Sequence, residues 1–169
     1  MNRDGPGRSD RARFLSHAEW NACTCNRSVM LPIPRQHSFA GMARNELLLE
    51  RLTYSVIGAF YEVYNQLGFG FLEHIYKRAL QLELIARGHR VAREVDVRVI
   101  YKGNDIGWQR LDFVVDDVLV IEVKSTRMLE PNATRQLFNY LKATDLRAGL
   151  LLHFGPKANV YRVNRSPAE

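Results

Sequence analysis

Residues Gly107 to Lys124 read Gly-Trp-Gln-Arg-Leu-Asp-Phe-Val-Val-Asp-Asp-Val-Leu-Val-Ile-Glu-Val-Lys. Two apolar segments flank an Asp116-Asp117 pair, the pattern of two strands joined by a tight turn. The core of the second, Val-Leu-Val-Ile-Glu-Val, is apolar on both faces, as is a strand covered on both sides of a sheet. Yet the first strand carries Asp112, and the second carries Glu122 and Lys124. Charged groups are seldom buried without a partner or a task. The sheet built around this hairpin must give those three charges something to do.

The flanking segments supply the rest of an α/β domain. Apolar residues recur at Leu48, Leu52, Val56, Ala59, Phe60, Val63 and Leu67, the spacing of one helical face, with Asn45 or Thr53 as candidate N-caps and Leu67-Gly-Phe-Gly70 as the stop. A second helix is expected from about Phe71 to Ala86, with Leu72, Ile75, Tyr76, Ala79, Leu80 and Leu84 inward and Gly88 closing it. Alternation then takes over: Val91, Val95, Val97, Val99 and Tyr101 mark a strand, Lys102 to Asp105 a turn, and Ile106 to Val115 and Val118 to Lys124 the hairpin strands. A third helix is predicted over Asn132 to Thr144, with Ala133, Leu137, Tyr140 and Leu141 in register. Strands Ala148 to His153 and Asn159 to Val163 follow, around a Phe154-Gly155-Pro156 turn. The order helix, helix, three strands, helix, two strands predicts a sheet with helices on its faces.

Residues 42–169 are expected to form this one domain, and 46% hydrophobic residues are enough for its core. Residues 1–41, rich in Arg, Ser, Asn, Gly and Pro, show neither helical nor strand periodicity, so little fixed structure is expected there. The sharp change at Met42 raises a second expectation, that translation starts at Met30 or Met42 and the upstream residues are an over-extended reading frame. The formal charge of +6 divides evenly: residues 1–41 hold six Arg and three acids, leaving 18 basic and 15 acidic residues for the domain. A mildly basic domain permits nucleic-acid binding without arguing for it. Cys23 and Cys25 are too close for an unstrained disulfide and lack a second pair for a zinc site. No apolar run approaches the roughly 18 residues of a membrane span, and no compact apolar segment opens the chain, so a cytoplasmic protein is expected.

The chemistry turns on register. Glu122 and Lys124, two apart on one strand, share a face about 7 Å apart. A two-residue turn at Asp116-Asp117 would pair Asp112 with Ile121 and send it to the opposite face. A three-residue turn, or one bulge, would set Asp112 directly across from Glu122. In that second case the two carboxylates, with the Val123 carbonyl oxygen and water, suit Mg²⁺ or Mn²⁺, hard ions that take oxygen ligands. Such a site serves phosphodiester hydrolysis, with Lys124 either orienting the attacking water or neutralising charge on the phosphate. The competing reading is a cross-strand ion pair at a sheet edge. Gln136 and Tyr140, four apart on one face of the third helix, are either water and phosphate positioners or a polar rim beside a core aromatic. Arg110, two before Asp112, is either a phosphate contact or a solvated side chain. Glu73 stands where a carboxylate favours a helix N-terminus. His74, His89 and His153 have no second ligand at metal spacing, and neither a Gly-rich phosphate loop nor a Ser/His/Asp arrangement is visible.

Arg110-Leu-Asp112, Glu122-Val-Lys124 and Gln136-x-x-x-Tyr140, in that order, resemble the PD-(D/E)XK nuclease superfamily. Gly70-Phe-Leu-Glu73-His-Ile-Tyr76, Ile57-Gly58, Asn139-Tyr140-Leu141-Lys142 and Leu152-His153-Phe154-Gly155 are similar to the GxxExxY family of small bacterial proteins grouped with it. The resemblance spans about residues 45–164. It implies a restriction-endonuclease-like fold, a mixed sheet flanked by helices with the site at its splayed central hairpin. It also implies Glu73 as a further metal ligand beside Asp112 and Glu122, Tyr76 as a supporting contact, and nucleic acid, first DNA, as the partner. Where that superfamily often has Pro before its Asp, this chain has Leu111. The functional expectation is a Mg²⁺- or Mn²⁺-dependent nuclease; the alternative is a catalytically silent module of the same fold that binds nucleic acid or a protein.

Overall fold

The computed structural model describes residues 39–165. The expectations placed on residues 1–38 of the tail, on Cys23 and Cys25, and on a start at Met30 lie outside the described residues; residues 39–41, expected to have little fixed structure, instead open the first helix. Among the described residues, three helices and five strands follow the expected order: α1 (Phe39–Leu67), α2 (Glu73–Ala86), β1 (Val91–Tyr101), β2 (Asn104–Val115), β3 (Leu119–Lys124), α3 (Ala133–Thr144), β4 (Ala148–Phe154) and β5 (Ala158–Asn164). The strands form one sheet in the order β1-β2-β3-β4-β5. Every neighbouring pair is antiparallel except β3 and β4, whose parallel pairing requires the crossover that α3 provides.

Two apolar layers sandwich the sheet. On one side α1 and α2 pack Val56, Phe60, Tyr76, Leu80 and Leu84 onto Phe113, Ile121, Val123, Leu150 and Leu152. On the other, Leu137, Tyr140 and Leu141 of α3 pack onto Val97, Leu111, Val120 and Leu151. Alternation along β3 thus sends Leu119, Ile121 and Val123 to the α1/α2 side and Val120 to the α3 side. Strand β4 is buried throughout, consistent with the parallel, doubly covered centre of the sheet.

Some local expectations shift. Helix α1 begins at Phe39, so Asn45 and Thr53 lie inside it, and Thr53 is buried rather than capping. Leu48 is exposed, and Leu49 instead packs on the core. Helix α2 begins at Glu73, with Leu72 in extended conformation at the N-cap position, so Leu72 and Ile75 are exposed and the inner stripe is Tyr76, Leu80 and Leu84. The chain must still leave the Gly68–Gly70 bend, where both glycines have positive φ, before helical geometry can start.

That bend is held by Tyr76. Its ring stacks on Phe154, with centroids 4.3 Å apart, and Phe154 meets Phe60 edge-on at 4.7 Å. Its hydroxyl donates to the Gly68 carbonyl (2.6 Å) and accepts the Phe71 N–H (3.2 Å). Ser125, just beyond β3, donates to the Phe71 carbonyl at 2.8 Å. The start of α2 is therefore fastened to the end of β3, which brings Glu73 and the next turn of α2 to the hairpin. Among the described residues no helix is long and apolar enough to cross a membrane. Tyr76→Phe keeps the ring stack and leaves the Gly68 carbonyl and Phe71 N–H without their partner. Its cost should be about 1–2 kcal/mol in chemical denaturation; an unchanged midpoint would show that the hydroxyl does not hold the bend.

Candidate active site

The β2–β3 turn decides the site. Val118 N–H donates to the Val115 carbonyl at 3.1 Å, and Asp116 and Asp117 both have positive φ (50° and 63°), the conformation of a two-residue type I′ hairpin turn. The ladder nevertheless pairs Val115 with Leu119, Val114 with Val120 and Phe113 with Ile121. Val118 is thus an extra residue, and one further step of this register sets Asp112 across from Glu122. The odd-numbered connection required by the functional reading is present.

The turn is also clamped from outside. Asp116 N–H donates to the Arg90 carbonyl, and Asp116 Oδ1 accepts the Arg90 N–H, both at 2.9 Å. Asp116 Oδ2 lies 2.8 Å from His89 Nδ1, and His89 Nε2 lies 2.7 Å from Ser55 Oγ on α1. A Ser55–His89–Asp116 relay therefore exists, although the sequence showed no Ser/His/Asp arrangement. Its members come from α1, the α2–β1 link and the hairpin, spacings that no local pattern reveals. Ser55 sits within a long helix whose backbone N–H groups are committed to helical bonding, so its neighbours offer no oxyanion donors. The relay works as a strut that pins the turn to α1.

Beyond Phe113 and Ile121 the two strands part. The Val123 N–H faces the gap, and the carboxylate of Asp112 takes it (Oδ2, 2.8 Å). A phase slip in the sheet aims that side chain. Val114 and Leu111 of β2, and Ala92 and Val95 of β1, all pack on the α3 side although each pair is three residues apart, where strict alternation would split them. The slip falls at Glu94 and Asp112, which the β1–β2 ladder skips between Arg93↔Phe113 and Val95↔Leu111. Glu94 has φ 50°, a left-handed conformation inside a strand.

Glu122 is buried, 3% exposed. Its Oε1 accepts Lys124 Nζ at 2.7 Å, while its Oε2 is buried with no hydrogen-bond partner. Burial first, and then the nearby Asp112 charge, raise the Glu122 carboxyl above its usual range against the opposing pull of Lys124 and Lys77. Lys124 is raised too: burial alone would lower it, but its bond to Glu122 and the charges of Glu122, Glu73 and Asp112 outweigh that. The sequence reading missed Lys77, one turn after Glu73. Its ammonium bridges Glu73 Oε1 (2.7 Å) and Asp112 Oδ1 (2.6 Å). Those same partners raise its pKa against the lowering effect of burial. The i, i+4 spacing from Glu73 was the available signal.

The structure thus gathers Glu73, Asp112, Glu122 and Lys124 into one cluster with Lys77, and Glu73 reaches Asp112 only through that lysine. Tyr140 comes to it from α3, with its phenol raised by burial and then by the Glu122 charge. Gln136 Nε2 donates to Tyr140 Oη at 2.6 Å. Arg110 is exposed and pairs with Asp96 of β1 at 2.8 Å, outside this cluster. His153 is buried beside Lys124 in the β3–β4 register, with Nε2 bonded to the Thr126 carbonyl at 2.8 Å. Among the described residues no three His, Cys, Asp or Glu side chains are grouped as a metal shell. Fit to a cation rests instead on the donor set: three carboxylates against two ammonium groups, with one buried carboxylate oxygen unpartnered. Glu122 has an oxygen free for a hard divalent ion; Asp112 and Glu73 are both engaged by Lys77 and would join only if that lysine swings aside.

Residues 50–165 match the family model for the PD-(D/E)XK nuclease superfamily. The chain belongs to that superfamily. Its mixed five-stranded sheet flanked by helices is the restriction-endonuclease-like fold, and the splayed β2–β3 hairpin carries the Asp and the Glu-x-Lys. Among solved structures, one titled "Crystal structure of SSO0001" is similar at 21% identity and TM-score 0.46, covering 56% of this chain and 50% of that one. The chain thus spans about half the length of that protein. No curated protein matches it.

The raised Glu122 carboxyl has a signed consequence. The folded protein holds this proton more tightly than the unfolded chain, so the contribution of Glu122 to stability falls as pH rises from its ordinary value of 4.5 through the higher folded value. In EDTA, Glu122→Gln should melt above the wild type at pH 7 to 8, with the gap closing as the pH falls below about 4. A variant less stable at neutral pH would show that the Lys124 pair outweighs burial.

Proposed function

We propose that this protein is a divalent-metal-dependent nuclease that hydrolyses phosphodiester bonds, DNA being the first substrate to test, and that it acts in the cytoplasm as a member of the GxxExxY branch. The observation that carries the reading is the buried, unpartnered Oε2 of Glu122 in a cluster where the register also delivers Asp112. Asp112 and Glu122 would hold the ion, Mg²⁺ or Mn²⁺, with the Val123 carbonyl oxygen and Glu73, once Lys77 is displaced from Asp112 and Glu73. The ion supplies charge neutralisation at the phosphate and a lower pKa for water in its shell.

The remaining work falls to side chains. Lys124 is held as an ammonium by its acidic neighbours, so it acts as a charge stabiliser at the phosphate rather than as a base. Tyr140 is held as a neutral phenol, and the Gln136 amide already occupies its oxygen as a donor. Its own proton is then free to point at a phosphate oxygen. Asp112, through the Val123 N–H, keeps the mouth of the hairpin from collapsing onto the site. Arg110 serves as a phosphate contact further out, exchanging Asp96 for the nucleic acid.

A second reading has its own observation. Lys77 bridges Glu73 and Asp112, and no three-acid group forms among the described residues. A catalytically silent nuclease fold that binds nucleic acid or a protein would keep such an internal pair permanently.

Single-stranded and duplex DNA, and RNA, incubated with Mg²⁺ or Mn²⁺ divide the two. Wild-type cleavage lost by roughly 10²-fold or more in both Asp112→Ala and Lys124→Ala supports the nuclease; equal cleavage by all three proteins marks contamination and overturns it. A second check needs no turnover. Metal at a hundredfold excess over its Kd should stabilise the wild type by about 2.7 kcal/mol, and Glu122→Gln should lose that shift. Absence of any metal-dependent change in melting favours the silent module.

A further inference from the structure

Lys77 leaves α2 one turn after Glu73 and sets its ammonium between two acids on different elements, Glu73 Oε1 of its own helix at 2.7 Å and Asp112 Oδ1 of β2 at 2.6 Å. The other oxygen of Asp112, Oδ2, already accepts the Val123 N–H at 2.8 Å. Oδ1 is therefore the oxygen of Asp112 left for a cation, and Lys77 holds it. Lys124 stands differently: it pairs with Oε1 of Glu122 at 2.7 Å and leaves Oε2 without a partner. An incoming ion must contend with Lys77 for its oxygens, and need not contend with Lys124. Charge points the same way. With its three acids ionised, the cluster is one positive charge short while Lys77 and Lys124 serve it; a divalent ion in place of Lys77 makes up that charge. A dication and an ammonium sharing Oδ1 would be like charges a few ångströms apart and partly shielded from water, where repulsion is strong.

We propose that Lys77 is a resident competitor for the metal: its ammonium holds Glu73 and Asp112 together in the metal-free protein, and a divalent ion takes them only by expelling it. The proposal rests on the nuclease reading and concerns how that site is loaded. In the metal-free state the ammonium keeps the two acids from repelling one another. Its long flexible stem and its 22% exposure give it a way out to solvent. The tie between α2 and β2 then passes from Lys77 to the ion, and one ammonium is released for each ion bound. Competition lowers the apparent affinity by the fraction of molecules in which Lys77 has left; for a fraction of about one in ten the loss is about tenfold.

Isothermal titration of Mn²⁺ alone into the full chain and into its Lys77→Met variant reads this without turnover. Met keeps most of the length of the side chain and removes its charge, so the variant should bind Mn²⁺ roughly tenfold or more tighter than the wild type. Lysine acylation followed by peptide mass spectrometry adds a readout that the mere loss of a nearby positive charge does not move. In the wild type, saturating Mn²⁺ should raise acylation of Lys77 severalfold and leave that of Lys142, which lies over the Phe138 ring of α3, unchanged. Should the variant fail to fold, the labelling of the wild type decides alone. Where the wild type binds Mn²⁺, equal affinity in the variant or unchanged Lys77 labelling overturns the competition and leaves the nuclease reading standing. Binding by Lys77→Met alone supports the competition and overturns the nuclease reading, since Lys77 then keeps the site for itself. Binding by neither protein overturns both.

Discussion

Everything at this site depends on one extra residue in a turn. With Val118 paired to Val115, Asp112 would face Ile121 and lie on the far side of the sheet from Glu122. With Val118 passed over and Leu119 opposite Val115, the register carries Asp112 to the side of Glu122. Such a choice between registers is all-or-none, because side chains alternate with period two. The protein protects the choice from both ends. Asp116 is bonded through its backbone and side chain to Arg90, and through His89 to Ser55 of α1. Downstream, the Val123 N–H is satisfied by the carboxylate of Asp112, not by another rung of the ladder. A slipped β3 would forfeit the bond between Asp112 and the Val123 N–H.

Much of this was readable from the sequence because it is governed by periodicity. The element order, the inner faces of α2 and α3 at Tyr76, Leu80, Leu84, Leu137 and Tyr140, and the doubly covered β3 follow from spacing alone. The register condition on the hairpin was also readable, as a condition, and the structure meets it. What escaped were contacts between segments distant in sequence. Lys77 reaching Asp112 from α2, and Ser55 reaching Asp116 through His89, depend on how two helices sit on the sheet. The phase slip at Glu94 and Asp112 was hidden for a different reason: Val91, Val95 and Val97 keep even spacing in the sequence, yet Val91 packs on the α1/α2 side, while Ala92, a small residue with little weight in any pattern, joins Val95 and Val97 on the α3 side.

The electrostatics of the cluster show an arrangement paired but not complete. Each lysine is raised by its carboxylates, yet the most buried carboxyl, Glu122, is raised as well. A finished ion-pair network would depress it, since an opposite charge within hydrogen-bond reach ordinarily favours the ionised form. Burial and Asp112 win over Lys124 and Lys77. With three carboxylates against two ammonium groups, the cluster also carries an acid without its own cation, and Oε2 of Glu122 has no donor there.

An arrangement of that kind is costly to stability, because burial disfavours a charge that its partners do not fully offset. The same logic ranks the two lysines. Lys124 stands on the rigid, doubly covered β3 beside its partner Glu122, so its position is set by the sheet itself. Lys77 is carried on a partly exposed flexible side chain and holds two carboxylates that lie on different elements. Lys77 can swing out at smaller cost than Lys124, whose departure would leave the buried Glu122 carboxylate unpaired. Of the two ammonium groups, Lys77 is the one freer to move, and Lys124 the one the sheet holds in place.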